Sequence, residues 1–415
     1  MKLLAVSWEL PPLYGPRATQ VMRTLNALAD VGWCITAISM APRRGGPHWR
    51  DGVDPPAPRA AVDVQRVASP EEWLPVRALR TLVPWARQWP DDKWVWIGPA
   101  TRRAISAAAS NRFDVLATFG QPWSDHLIGL RVHAATKMPW VAHFSDPWAD
   151  SPHAPKSRWL SRRWHDMERA VVAAADAVVF VSHQTADLVM RKYPGEWRRK
   201  VAVVPHGYER TATHPPDSKP KLRGPMRLVY TGRFYRGLRT PEGFLQALAL
   251  LQRKGPLDGR LEALFVGPFV TEYGEMARSL GVGRLVTFAD RQPLSEASRM
   301  AASADVLLII DPPAREGLFL PSKLVDYLTF AKPILGLTPA SGAVADVLAR
   351  LDCPIVAPDD AQAIASALAG LLQQHEAGEL RVSSSYARVA EEYDIRRTTV
   401  LFDAVLRRVA RDDAA

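Results

Sequence analysis

Residues Glu316–Leu337 read EGLFLPSKLVDYLTFAKPILGL. The stretch divides into a loop, a helix, a short turn and a strand. Pro321 and Ser322 stand just before the helical run. Ser322 is a candidate N-cap, since a serine oxygen there accepts from an otherwise orphaned backbone N–H. A helix N-terminus turns unpaired N–H groups outward, which suits a diphosphate. Lys323 adds a full positive charge beside it. Asp326 follows one turn in, where a carboxylate can accept from the two adjacent hydroxyls of a ribose.

Outward from this stretch the chain repeats one pattern. Arg227–Thr231, Ala263–Val266, Leu285–Phe288, Val306–Ile310 and Pro333–Leu337 are apolar runs of strand length separated by helical patterns. The first half does the same at Leu3–Val6, Ile35–Ser39, Val115–Thr118, Trp140–His143 and Ala177–Val181. There Ala18, Val21, Met22, Leu25, Leu28 and Ala29 recur at helical spacing, and Gly32 stops the helix. Alternation of strand and helix predicts parallel, doubly wound sheets. The expected organisation is an N-terminal domain over 1–208, a linker over 209–225, a C-terminal domain over 226–386 and final helices over 387–415 that cross back to the first domain. The proline- and charge-rich stretch 211–225 carries the linker signal. Residues 41–60, with Arg43, Arg44, Gly45 and Gly46, form a long loop of the kind that is functional or disordered. Two doubly wound domains face a central cleft across the carboxyl ends of their sheets, and ligands of such folds bind there.

Three further motifs follow strands. Leu228–Arg233 (LVYTGR) is a strand, then Gly232, then Arg233, with Arg236 and Arg239 close behind. Gly232 lets backbone approach a ligand. Pro11–Arg17 (PPLYGPR) is a turn around Gly15 after the first strand. Val141–Trp148 (VAHFSDPW) is a buried strand ending in His143, Ser145 and Asp146. Asp146 can take a proton from a hydroxyl as a general base, or serve as a turn residue before Pro147. His143 reads as a core histidine.

In this register the chain resembles the retaining glycosyltransferases of GT-B fold, glycosyltransferase family 4, particularly bacterial members that build surface polysaccharides. Glu316, Leu320–Pro321 and Pro333–Ile334 match the family signature, and Asp326 stands where the family has a second Glu. The spacing from Pro321 to Asp326 is longer than the commonest form. The resemblance implies that Glu316 contacts the donor sugar and acts in catalysis, and that Asp326 binds the ribose. It implies that Gly15, Gly232, Arg233, Arg239 and Lys323 hold the donor diphosphate. Arg239 is preferred to Arg236 as the second basic residue, since the family's usual lysine has no match. Asp146 and Trp148 match an Asp-x-Trp segment at a cleft strand, which makes Asp146 the acceptor-side candidate. A nucleotide-diphosphate sugar would be the co-substrate, with no cofactor and no metal, the cations replacing a metal electrostatically. A non-hydrolysing sugar-nucleotide epimerase of the same fold, and a basic membrane- or polyanion-binding protein with a degenerate site, are the alternatives.

Composition narrows the rest. The chain has 415 residues, enough for two or three domains, and is 47% hydrophobic and 23% charged, as ordinary globular proteins are. Only Cys34 and Cys353 occur, which excludes a disulfide framework or a cysteine zinc site and fits a reducing cytoplasm. No apolar run is long enough to span a membrane, and the start reads as a first strand rather than a signal peptide. The net charge of +10 favours phosphate-bearing partners. The 14 tryptophans concentrate before residue 200. Trp73–Trp96 interleaves Trp85, Trp89 and Trp94 with Arg77, Arg80, Arg87 and Lys93, which suits either domain packing or anionic lipid at the inner face of the membrane. No nucleic-acid motif accompanies it. There is no G-x-S-x-G turn, no metal-ligand spacing and no full G-x-G-x-x-G after a strand.

Overall fold

The structure, a computed structural model, describes residues 1–13, 15–42, 56–152, 154–210, 224–268 and 271–412. Arg43, Arg44, Gly45, Gly46, Tyr14 and the linker stretch 211–223 lie outside the described residues, as do the side chains of Leu74, Arg77 and Arg80.

Two α/β units result. The first takes the described residues up to Gly207 and those from Ile395 onward; the second takes Tyr208–Asp394. Residues 387–394, expected among the returning helices, therefore belong to the second unit.

The sheet of the first unit contains β1 (Lys2–Val6), β2 (Cys34–Met40), β3 (Val62–Val67), β4 (Val115–Gly120), β5 (Trp140–Phe144), β6 (Ala177–Phe180) and β7 (Val201–Val203). Their order is β3-β2-β1-β4-β5-β6-β7, and all pairs are parallel. The second unit contains β8 (Met226–Thr231), β9 (Leu261–Val266), β10 (Val286–Ala289), β11 (Val306–Ile310), β12 (Ile334–Leu337) and β13 (Ile355–Val356), in the order β10-β9-β8-β11-β12-β13, again all parallel. Central strands such as β4, β5, β6 and β11 are buried along their whole length. That is why they read as continuous apolar runs: a parallel sheet is covered on both faces.

In each sheet the winding reverses once, between β1 and β4 and between β8 and β11. Loops leaving those neighbours run to opposite faces and open a crevice at the carboxyl end. Gly15 follows β1, Gly232 follows β8 and Asp311 follows β11, so each crevice is edged by a glycine turn.

The helix Pro16–Asp30 after β1 buries Val21, Met22, Leu25 and Leu28. It stops in a Schellman turn: Gly32 N–H donates to Ala29 at 3.0 Å, Trp33 N–H donates to Leu28 at 3.1 Å, and Gly32 adopts φ +95°. The final helix, Ile395–Asp412, contributes Phe402, Val405, Leu406 and Val409 to the same core. Asp403 accepts from Trp33 Nε1 at 2.6 Å. The first unit's core is thus completed by the last residues of the chain. Among the described residues no helix is long and apolar enough to cross a membrane.

Candidate functional site

In the second unit the site grows from Gly232. Its φ is +138°, and a Cβ there would lie 2.5 Å from Lys323 Nζ. Glycine is required both by the backbone angle and by the lysine. Lys323 Nζ sits 3.8 Å from the centre of the Tyr230 ring, buried and without a hydrogen-bond partner. Burial, reinforced by the neighbouring Arg239, pushes its ammonium well below the ordinary lysine value, while Asp311 pulls the other way. Arg239 Nη2 lies 3.8 Å from Asp311 Oδ1, and its buried Nε has no partner. Asp311 Oδ2 accepts from Thr338 Oγ1 at 2.8 Å. Burial raises the Asp311 carboxyl; Arg239, Thr338 and Lys323 hold it down. Two cations therefore share one carboxylate and keep unused donors. An anion with several oxygens would satisfy both.

The remaining residues of this unit are placed less tightly. Arg233 is exposed, with its guanidinium carbon 6.0 Å from the Tyr235 ring centre, and that of Arg239 lies 5.8 Å from the same ring. Arg236 is turned away into an exposed pair with Glu272, Nε to Oε1 3.0 Å. The helix Ser322–Tyr327 carries Lys323 and half-buried Asp326. It is tied to the end of β8 by Tyr327, whose hydroxyl accepts from Thr231 N–H at 2.9 Å. Ser322 is not the N-cap. Pro321 holds that position with extended backbone, so Ser322 enters the helix itself and makes no capping bond. Glu316 is exposed on a loop pinned to the helix Ala343–Arg350. Gly317 N–H donates to Ser341 and Ala343 N–H to Gly317, both at 2.9 Å. Gly342 permits this contact, since its φ is +123° and a Cβ would meet Gly317 O at 2.1 Å. The structure thus gathers Gly232, Arg239 and Lys323 around Asp311, adds Arg233 through Tyr235, and leaves Glu316 on its own loop. Asp311 and Thr338 gave no motif in the sequence, since each ends an apolar strand.

In the first unit Gly15 occupies the N-cap position of the helix Pro16–Asp30 in extended conformation. A Cβ there would strike Glu9 Oε1 at 2.2 Å, so the glycine makes room for Glu9. Asp146 is half-buried after β5 and accepts from Gln121 Nε2 at 2.9 Å and from Ser145 Oγ at 3.4 Å. Trp148 is fully buried and stacks on Trp123 with ring centres 5.2 Å apart. It packs in the core of the first unit. His143 is buried, with Nδ1 3.2 Å from Arg17 Nη2. Burial, Arg17, His206 and His126 hold its ring well below the ordinary histidine value, so it is neutral. Among the described residues no group of three or more His, Cys, Asp or Glu is placed to hold a metal ion.

Away from these positions, Trp85, Trp89 and Trp159 form an exposed trio with ring centres 5.3–5.7 Å apart. Arg163 lies 5.9 Å from the Trp159 ring centre, and Leu82 beyond is 80% exposed.

Residues 17–207 match the family described as a glycosyl transferase 4-like domain. No curated protein sequence matches the chain. Several solved structures share its fold over almost the whole length. Sucrose-phosphate synthase from Thermosynechococcus elongatus is 16% identical with a TM-score of 0.69, each chain covered over 100%. Anabaena HepE in complex with UDP is 14% identical with a TM-score of 0.68, covering 98% of this chain and 100% of its own. WaaG, a glycosyltransferase involved in lipopolysaccharide biosynthesis, is 16% identical with a TM-score of 0.63, covering 98% and 99%. The two Rossmann-like units thus share the fold of these structures.

Proposed function

We propose that the chain is a glycosyltransferase that moves a sugar from a nucleotide-diphosphate donor to an acceptor hydroxyl, with retention of configuration and without a required metal, in glycan or glycoconjugate synthesis. The observation that carries this reading is the pair Lys323, buried against Gly232, and Arg239, mostly buried beside Asp311, each with a donor to spare. The match of residues 17–207 to a glycosyl transferase 4-like domain, and solved relatives of the fold holding UDP or UDP-glucose, support it. Charge develops on the leaving diphosphate as the glycosidic bond breaks. Fixed cations aimed at it stabilise the transition state more than the ground state. Asp326 takes the ribose hydroxyls, Arg233 and Gly232 the diphosphate, and Glu316 the sugar. On the first unit Gly15 lines the phosphate side, and Asp146 receives the acceptor proton. Gln121 and Ser145 orient the Asp146 carboxylate for that task. The tryptophan trio, with Arg87, Arg158 and Arg163 exposed nearby in sequence, supports peripheral contact with an anionic surface, at the cytoplasmic face of the membrane.

A thermal-shift series with nucleoside diphosphates and their sugars tests the donor reading. A ligand at 100 times its dissociation constant stabilises by about 2.7 kcal/mol. At least one should raise the melting temperature of the chain and fail to raise that of Lys323→Met. No response across the series, or an equal response in the variant, would exclude it.

A further inference from the structure

The first unit contains a second charged recess that the transfer reading does not use. It is lined by Arg17 and Gln20 of the helix after β1, by Phe119 and His143 at the ends of β4 and β5, by His206 after β7, and by Thr399 of the final helix. The recess is small and opens to solvent. Arg17 is 9% exposed and among the described residues its one hydrogen bond is with His143 Nδ1, at 3.2 Å; its Nε is buried with no partner among them. Thr399 Oγ1 is also buried without a partner. The His143 and His206 rings face each other with centres 6.4 Å apart, and Phe119 and Phe402 close the apolar side.

A buried guanidinium normally spends its five donors on carboxylates, carbonyls or water. Here the nearest partner is a neutral imidazole. Asp146, Asp125 and Glu9 act on Arg17 only through space, and burial still lowers its pKa to about 10. His206 is held down to about 3 by burial and by Arg17. Arg17, Thr399 and the two rings thus place a fixed charge, a hydroxyl and titratable nitrogens around one space. Among the described residues, Arg17 and Thr399 each keep a buried polar atom without a partner, and Phe119 and Phe402 lie on the apolar side. Such a set is stabilised by a ligand that accepts several hydrogen bonds and carries negative charge.

We propose that this recess binds a compact oxyanion, a phosphate or carboxylate group, through Arg17, Thr399 and the ring nitrogens of His143 and His206. Its residues belong to the first unit, and the Lys323 and Arg239 cluster belongs to the second. The final helix supplies one wall of the site.

The test is histidine-detected NMR on the full chain, titrated with sodium phosphate, methyl phosphate or sodium acetate at constant ionic strength, with sodium chloride as control. The His143 and His206 ring signals should shift saturably with one of the three anions and not with chloride. Arg17→Gln should weaken that response at least tenfold, and Arg17→Lys should keep part of it. Saturation by methyl phosphate as well as inorganic phosphate would mark a group carried on a larger molecule; saturation by inorganic phosphate alone would mark the free ion. Saturation by acetate alone would mark a carboxylate. If Arg17→Gln does not fold, Thr399→Val keeps the charge and removes one donor, and it should weaken the response severalfold. Ring signals that stay fixed with all three anions, or that shift equally in the variants, would overturn the proposal. Donor binding measured in parallel on Arg17→Gln should be unchanged, so loss of this site and loss of the transfer reading are separable.

Discussion

At the level of single residues, the difference between Arg236 and Arg239 sets the first prediction. Arg236 is exposed and paired with Glu272; Arg239 is mostly buried beside Lys323. Arg239→Ala should weaken binding of a nucleoside diphosphate by about 1.5–3 kcal/mol, the range for a charged hydrogen bond. Arg236→Ala should change it little, since exposed pairs contribute about 0–1 kcal/mol. Calorimetric titration of both variants decides, and equal losses would move the diphosphate elsewhere. A second prediction concerns acid. His126 and His206 are held down to about 3 by burial and by Arg17. As pH falls below about 6.5 the unfolded chain takes up protons that the folded chain refuses, so stability falls, by about 1.4 kcal/mol per pH unit for each histidine, until pH nears 3. Urea midpoints at pH 7 and pH 5 should show this loss, and His206→Phe should show a smaller one. Glycines and cations just after strands could be read in the sequence because the fold exposes strand ends. Their partners could not. Asp311 and Thr338 close apolar runs and look like strand termini, and Glu9 becomes meaningful only when it is seen lying over Gly15.

Among the elements, the long apolar strands were legible, and three of the four sheet edges were not. β3, β7 and β13 lie at edges, and none of the three was anticipated. β3 is VDVQRV, whose polar alternation reflects partial exposure, and β13 is two residues long. An edge strand is recruited by its neighbour's hydrogen bonds rather than by its own apolar content, so periodicity carries little of it. Helix endings were clearer. At Gly32 a Cβ would meet nothing within 4 Å, so Gly32→Ala tests backbone angle alone. The substitution should cost about 1–2 kcal/mol of stability. An unchanged urea midpoint would mean that the Schellman turn rearranges freely.

For the molecule as a whole, the two-unit architecture was legible because each half repeats the same alternation. The return of the last helix to the first unit rests on contacts remote in sequence, such as Trp33 with Asp403. Removing the chain from Ile395 onward should uncover the core that Phe402 and Leu406 seal, both at most 1% exposed. Each such side chain contributes roughly 1.5–3 kcal/mol. The truncated chain should therefore lose the cooperative melting of its first unit while the second still melts; two intact transitions would refute this. The tryptophan trio makes a separate prediction. Vesicles containing anionic lipid should retain the chain at low salt, less so after Trp85→Ser with Trp159→Ser, and equal retention would rule out this surface.

Among the described residues the first unit is written in two pieces, and the second unit lies between them in sequence. On a ribosome that order matters. At about 5–20 residues per second, roughly 10–40 s separate the emergence of Gly207 from that of Ile395. During that interval Trp33, Leu28 and Phe119 have no final helix to cover them, although the second unit can already close. The protein begun first is finished last. Nascent chains stalled just short of Ile395 should hold a protease-resistant second unit beside a first unit that is still open to cleavage and to chaperones.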